Sequence, residues 1–530
     1  MNLKRNWRWV GLLLVIWMVP AMACNYPVAK RARKGIPAYE LRQTLEAKNP
    51  NWQNPGLTEA TANPILEETA TPVMSGGALE ATAIPVEATP VAGPPLPAPE
   101  GFLLYVAQSG DTLPALALRF EVEAGQITSP QPIPPEALIP AGQALYIPDT
   151  QEGTAFPNTL IPDSEVVDSP SSAGFPTADY IQQAGGYLSS YTETVDGQTL
   201  NGAQIVGRVA ADYSISPRLL LGLLDYRAHW VTGQPSGAGV ANPIGFNVPG
   251  VYGLYRELEL TAKHLNIGYY GWRAGTLLNL KFTDGGQVRI SPALNAGSVA
   301  VQYLFTRLEK STVWKAELYG ENSFPAYYLQ MFGDPWERAA QVEPLLPEGL
   351  SQPELTLPFA AGERWSFTGG PHPAWDTGSA AGAIDLAPVT GERACSTSRV
   401  WVTAPAAGVI ARSRDNGIAL DLDGDGYEET GWVLFFYHVA ASESALPGTR
   451  VKVGDPIGHP SCEGGRATGT HVHVARKYNG VWMPAGEPIP FVMSGWTVVP
   501  GEKLYEGYLI NGEQTVTAHP GGGGSTIIMR

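Results

Sequence analysis

Gly469-Thr470-His471-Val472-His473-Val474 lies in a short run, Thr470 to Ala475, that reads as a β-strand. Residues i and i+2 of a strand point to one face, so the imidazoles of His471 and His473 stand side by side. One can bind a metal while the other faces a substrate. A bare His-x-His is common by chance, and its surroundings are what give it weight. Upstream lie Phe436-Tyr437-His438-Val439, a further histidine at the end of an apolar run, and Gly382-Ala383-Ile384-Asp385-Leu386-Ala387-Pro388. Val400 to Thr403, Gly408 to Ala411, Ile418 to Leu422 and Trp432 to His438 are short apolar runs separated by turns, which together predict an antiparallel sheet from about Pro358 to the mid 490s. Five histidines (372, 438, 459, 471 and 473) fall in this region of a chain that has 8, and of these His459, in Gly458-His459-Pro460, reads as a turn residue. A metal site would produce that concentration.

Taken in order, and with Ala404-Pro405-Ala406-Ala407-Gly408 and Val453-Gly454-Asp455-Pro456-Ile457-Gly458 between them, these motifs resemble the lysostaphin-type (LytM-like) zinc metallopeptidases of peptidoglycan. The resemblance implies that residues 358–498 form a peptidase-like domain in which Asp385 and His473 bind Zn2+. It also implies that His471 and His438 act on substrate and water. The family's remaining ligand is a histidine four residues before the aspartate, and here that position is Ala381. His372, after Gly369-Gly370-Pro371, is the expected substitute, since three protein ligands are the usual minimum for catalytic zinc. Asp376 in place of Asp385, or a site without metal, are the alternatives. With metal, the expected activity is a cell-wall zinc endopeptidase; without it, a catalytically inactive peptidoglycan-binding protein that scaffolds or activates another hydrolase.

Asp421, Asp423 and Asp425 fall at positions 1, 3 and 5 of a loop with glycine at 6, as in a calcium site, but Trp432 stands at position 12, where the bidentate glutamate belongs. Ca2+ or a plain polar hairpin turn are the two readings.

The N-terminus sets the compartment. Lys4, Arg5 and Arg8 precede an apolar run from Trp9 to Val19, too short for the roughly 20 residues of a spanning helix, followed by Pro20-Ala21-Met22-Ala23-Cys24. This reads as an export signal over residues 1–24 and resembles a lipoprotein signal, which implies lipidation of Cys24 and a membrane anchor; plain secretion is the alternative. Cys395 and Cys462 then remain as an even pair in an oxidising space, and a disulfide between them is expected. Closing a loop of about 67 residues, it is worth roughly 4 kcal/mol in the chain-entropy model.

Residues 25–100 include a Pro/Ala/Thr/Glu-rich stretch without aromatic residues after Trp52, which reads as a linker. Residues 101–150 contain Tyr105-Val106-Ala107-Gln108-Ser109-Gly110-Asp111-Thr112-Leu113 and close with Gly142-Gln143-Ala144-Leu145-Tyr146-Ile147-Pro148. These resemble the LysM module, which implies a strand–helix–helix–strand unit that holds glycan through Gly110, Asp111 and Thr112. Residues 175–350 read as mainly helical, with apolar spacing of three to four over Ala203 to Tyr213, Pro217 to Trp230, Val251 to Leu265 and Pro292 to Leu308. The helix from Arg218 to Trp230 resembles that of lysozyme-like transglycosylases, but Arg227 occupies the place of the catalytic glutamate and cannot donate a proton at neutral pH. A non-catalytic domain is expected, with Asp225 or Glu257 the acids of the alternative, an active glycosidase. Residues 499–530 form a C-terminal extension whose Gly521 to Gly524 tail is expected to be disordered.

The whole is thus predicted to be a multidomain α+β protein. Its 530 residues suit three or four units. Gly 60 and Pro 47 are well above average usage, as loops and connectors require. A net charge of −16 with no basic run disfavours nucleic acid; the expected partners are the glycan strands and peptide stems of peptidoglycan, at the cell envelope outside the cytoplasm.

Overall fold

The computed structural model describes residues 98–150, 154 and 156–530, all within one compact unit. The export signal, Cys24 and the linker to residue 97 lie outside the described residues. Among the described residues no helix is long and apolar enough to cross a membrane.

The first region pairs β1 (Phe102–Val106) antiparallel with β2 (Ala144–Pro148). Between them runs the helix Leu113–Phe120, where Thr112 accepts a hydrogen bond from the Ala115 amide and proline stands in the first turn. Leu116, Phe120, Leu145 and Ile147 form its small core. The expected second helix is a single 3₁₀ turn, Ala124–Gln126. Pro130, Pro132, Pro134 and Pro135 follow it closely, and prolines without N–H groups cannot extend a helix.

The middle region is helical: Gly202–Tyr213, Pro217–Ala228, Gly253–Arg273 and Ala296–Leu308 overlap the four stretches of helical spacing, and Thr177–Ala184, Ser311–Tyr319, Phe324–Phe332 and Pro335–Val342 are further helices. Two short hairpins, β3 (Thr192–Val195) with β4 (Gln198–Asn201) and β5 (Asn279–Lys281) with β6 (Gln287–Arg289), interrupt it. Asn201 and Gln204 form a capping box that starts the helix Gly202–Tyr213. The 21-residue helix Gly253–Arg273 lies against Ala296–Leu308 at Gly268, where a Cβ would come within 2.6 Å of the Ala300 Cα.

The last region is built on a nine-stranded antiparallel sheet. Its strands are β7 (Arg364–His372), β8 (Ala383–Pro388), β10 (Gly408–Arg414), β11 (Gly417–Asp421), β12 (Trp432–Tyr437), β13 (Arg450–Val451), β15 (Val472–Tyr478), β16 (Val481–Trp482) and β21 (Ile527–Met529). They run in the order β13-β10-β11-β12-β15-β8-β7-β21, with β16 on β15. A small pair, β9 (Val402–Thr403) with β14 (Pro456–Gly458), and a four-stranded sheet, β17 (Val492–Met493), β18 (Trp496–Pro500), β19 (Gly507–Asn511) and β20 (Gln514–Thr517), flank it. The glycine-rich tail does not end the fold, because β21 after it pairs with β7 at the sheet edge and buries Ile528.

Alternation along the central strands decides where the metal-type residues stand. Val472 and Val474 of β15, Leu434 and Phe436 of β12, and Ile384 and Leu386 of β8 face one core. The opposite face carries Ala475, Phe435 and Ala383, which pack into the core of the helical region. His471, His473 and Asp385 share this second face. The helical region therefore covers one end of the sheet face, and the histidines occupy the other.

Candidate metal centre

Strand register brings the residues together. Asp385 of β8 lies opposite His473 of β15 on one side and Gly369 of β7 on the other, while Tyr437 of β12 lies opposite His473. His372, the last residue of β7, completes the group. His372, Asp385 and His473 each offer one ligand atom, all within 4.8 Å of one another. Gly369 is required here, since a Cβ would stand 2.4 Å from Asp385 Oδ2.

The hydrogen bonds of the two rings fix which nitrogen is free. His372 Nδ1 lies 2.9 Å from the Gly370 carbonyl, and His473 Nε2 lies 2.9 Å from the Ala374 carbonyl. A carbonyl only accepts, so those nitrogens carry the protons; the tautomers are assigned from these partners. The remaining nitrogens, His372 Nε2 and His473 Nδ1, point at each other across 2.9 Å. Beside them, buried Asp385 Oδ1 has no hydrogen-bond partner; His372 Nε2 is 3.4 Å away, and His473 Nδ1 and His471 Nε2 are each 3.7 Å away. Two ring nitrogens and an unpartnered carboxylate oxygen converge, an arrangement that a shared cation would satisfy. Burial, with His372 beside it, pushes His473 down to about 3, so it stays neutral. Burial would raise Asp385, but His372 first, then His471 and His473, outweigh it and hold the carboxyl at about 2. Two imidazoles, each braced by a carbonyl, and one carboxylate are a donor set suited to Zn2+.

His471 and His438 form a second pair at the edge of this centre. Their rings are 4.5 Å apart. His471 Nδ1 lies 2.7 Å from the Gly469 carbonyl, and His438 Nδ1 lies 3.0 Å from that of Glu463. Both rings therefore give Nδ1 to the backbone and leave Nε2 free of it. Burial, then the neighbouring His471, lowers the pKa of His438. His438 also has φ 61°, a left-handed conformation that a non-glycine residue adopts only when its surroundings hold it there.

The other predicted residues fall as follows. Asp376 turns away to Lys263 (3.3 Å) and Tyr213 of the helical region. Ala381 lies on the loop before β8, its carbonyl accepting from the Ala485 amide. Cys395 and Cys462 form a disulfide. Asp421, Asp423 and Asp425 are grouped, but Asp421 already accepts from the amides of residues 423, 424 and 426, so the turn closes without an ion. The Gly110-Asp111-Thr112 loop faces inward. Asp111 is bonded to Tyr105 and Arg119, and a Cβ at Gly110 would strike the Arg273 guanidinium. Asp225 takes the amides of Val231 and Thr232 and the hydroxyls of Thr232 and Tyr327. Glu257 takes the amides of Ile244, Gly245 and Phe246 and the side chain of Asn242. Both carboxylates serve as caps for local backbone.

Sequence reasoning missed Tyr505, whose ring stacks on His372 with centroids 4.3 Å apart and planes 15° from parallel. It arrives from the C-terminal extension, on a loop fixed by Tyr505 N to Pro371 O and Gly370 N to Tyr505 O. Trp375, 5.0 Å from Tyr437 and 6.2 Å from Tyr213, was missed as well. Neither residue belongs to a motif that marks it.

Comparison with known proteins gives partial matches. Residues 159–345 match the family model described as LasA, N-terminal domain. The M23 metalloprotease pseudoalterin, from the deep sea, is 23% identical over 34% of this chain and 100% of its own, with a TM-score of 0.28. The catalytic domain of lysostaphin from Staphylococcus simulans is 19% identical over 24% of this chain and 95% of its own, with a TM-score of 0.17. A zinc-containing peptidase from Vibrio cholerae is 15% identical over 27% of this chain and 41% of its own, with a TM-score of 0.19. No curated protein matches the chain. The metal centre stands on its own geometry.

Proposed function

We propose that this chain is a zinc endopeptidase that hydrolyses peptide bonds of peptidoglycan outside the cytoplasm. The observation that carries the proposal is the convergence of His372 Nε2 and His473 Nδ1 on the unpartnered Asp385 Oδ1, with a second histidine pair beside them. The partial matches to M23 peptidases and to the LasA N-terminal domain agree with it in kind. The basic and apolar N-terminus ending at Cys24 supports export with a lipid anchor, and the disulfide suits an oxidising compartment.

His372, Asp385 and His473 would hold the zinc, which supplies Lewis acidity that polarises a carbonyl and lowers the pKa of a water towards roughly 7. His471 and His438 handle protons. Each ring is oriented by an Nδ1–H on a backbone carbonyl, leaving Nε2 to take the proton of the attacking water. The ring so charged then passes the proton to the departing amine. Tyr505 covers one side of the centre by stacking on His372.

Metal analysis of the purified chain, with digestion of purified peptidoglycan and mass analysis of the products, tests the reading. One equivalent of zinc and released peptides with new amino groups are expected. Less than about half an equivalent with no released peptide would favour the inactive wall-binding protein instead.

A further inference from the structure

The two histidine pairs are anchored by different parts of the chain. His372 and His473 are oriented by the carbonyls of Gly370 and Ala374 and by the ring of Tyr505. His438 and His471 are held by the segments that the disulfide joins. Ser461, next to Cys462, donates from both its amide (2.8 Å) and its hydroxyl (2.9 Å) to the His438 carbonyl. It also forms a bridge with His471, whose amide donates to Ser461 O. Glu463, on the other side of Cys462, provides the carbonyl for His438 Nδ1, and its carboxylate accepts from the Ala441 amide and the Asn416 side chain. At the other end, Ser396, next to Cys395, accepts from the Thr470 hydroxyl at 2.7 Å, one residue before His471. Ser398 N donates to Pro460 O at 2.9 Å.

The chain from Cys462 to Gly469 has no helix or strand and contains Gly464, Gly465 and Gly469. Such a segment does not by itself fix a carbonyl against an imidazole. We infer that the Cys395–Cys462 disulfide is the positioning element of His438 and His471, acting through Ser461, Glu463 and Thr470, and that the metal-type cluster does not depend on it. This inference rests on the zinc-peptidase reading.

The test is the Cys395→Ser/Cys462→Ser double variant of the full chain. Zinc content at one equivalent, a KM within about twofold of the parent and a kcat at least about tenfold lower are expected. A readout that needs no metal accompanies it. In the metal-free parent labelled with ¹⁵N-histidine, His438 shows a protected Nδ1–H, which the variant loses. Should the double variant fail to fold, Thr470→Val cuts one strut and leaves the bridge; it is expected to keep zinc and lower kcat about threefold or more. Unchanged kcat with the Nδ1–H retained overturns the inference, and so does a loss of zinc in step with kcat. A parent chain that neither holds zinc nor cuts peptide would instead overturn the peptidase reading, and the Nδ1–H signal alone would then decide the role of the disulfide.

Discussion

His372 Nε2 and His473 Nδ1 lie 2.9 Å apart although 101 residues separate them in sequence. Each ring's other nitrogen is committed to a carbonyl, so these two are the nitrogens left to hold a metal ion together with Asp385. His372→Ala and His473→Ala are each expected to weaken zinc binding by about 100-fold or more, read by competition with a chelator. His438→Ala is expected to keep its zinc and lose about 10²–10⁴ in kcat. A His372→Ala chain with undiminished zinc affinity would place the third ligand elsewhere.

Gly369→Ala tests the same centre from beneath. The added Cβ would stand 2.4 Å from Asp385 Oδ2 and 3.0 Å from its Cβ, both on the adjacent strand. The carboxylate must move out of the cluster, or the strands must part. A loss of about 1–3 kcal/mol in unfolding free energy is expected, together with weaker zinc binding. Arg364→Ala, at the exposed start of the same strand, should change neither by a comparable amount.

What was legible in the sequence follows from how local each signal is. Strand period and the i, i+2 rule place His471 and His473 on one face without any tertiary knowledge, and the helices Gly202–Tyr213 and Pro217–Ala228 are marked by apolar spacing. His372 follows only from the family resemblance, whose ligand position four before Asp385 holds Ala381 here; its β7 location could not be derived from spacing. Tyr505 was invisible because its role depends on a loop returning 133 residues after His372 to stack on one ring. The glycine tail misled for a related reason: its composition reads as coil, and the pairing of β21 with β7 depends on a strand edge far upstream. The Gly110-Asp111-Thr112 loop carries a surface motif, yet Arg273 of a distant helix covers it.

The helical and sheet regions share a buried charge network. Arg412 of β10 donates to Asp212 at 2.7 Å and to both oxygens of Glu428, at 2.5 and 3.1 Å. All three residues are buried. Burial would raise Glu428, but Arg412 and then Lys477 hold it down to about 2. Arg412→Ala takes the nearest cation from two buried carboxylates, leaving Glu428 to Lys477 at 3.0 Å and Asp212 to Arg414 and Arg208 at 3.7 and 3.8 Å, and a loss of about 3 kcal/mol in denaturant unfolding is expected. Removing the acids along with the arginine, as Arg412→Met/Asp212→Leu/Glu428→Gln, should recover most of it. Equal losses in the single and triple variants would show that packing, not charge, holds the two regions together.

Glu343 gives a stability difference that appears only on one side of neutrality. Burial, with the Asp163 charge added, pushes its carboxyl up to about 7 from the usual 4.5, while one oxygen accepts from the Ser164 amide at 2.8 Å. The folded chain therefore holds this proton more tightly than the unfolded chain. The associated stability is complete below about pH 4.5 and is lost as pH rises through about 7. Glutamine keeps the acceptor for Ser164 and never ionises. Glu343→Gln is thus expected to raise the unfolding free energy at pH 8 by roughly 3 kcal/mol, and the Tm with it, and to leave the Tm unchanged at pH 4. A variant whose Tm shifts equally at both pH values would show that the carboxyl stays ionised throughout and that its burial carries no proton.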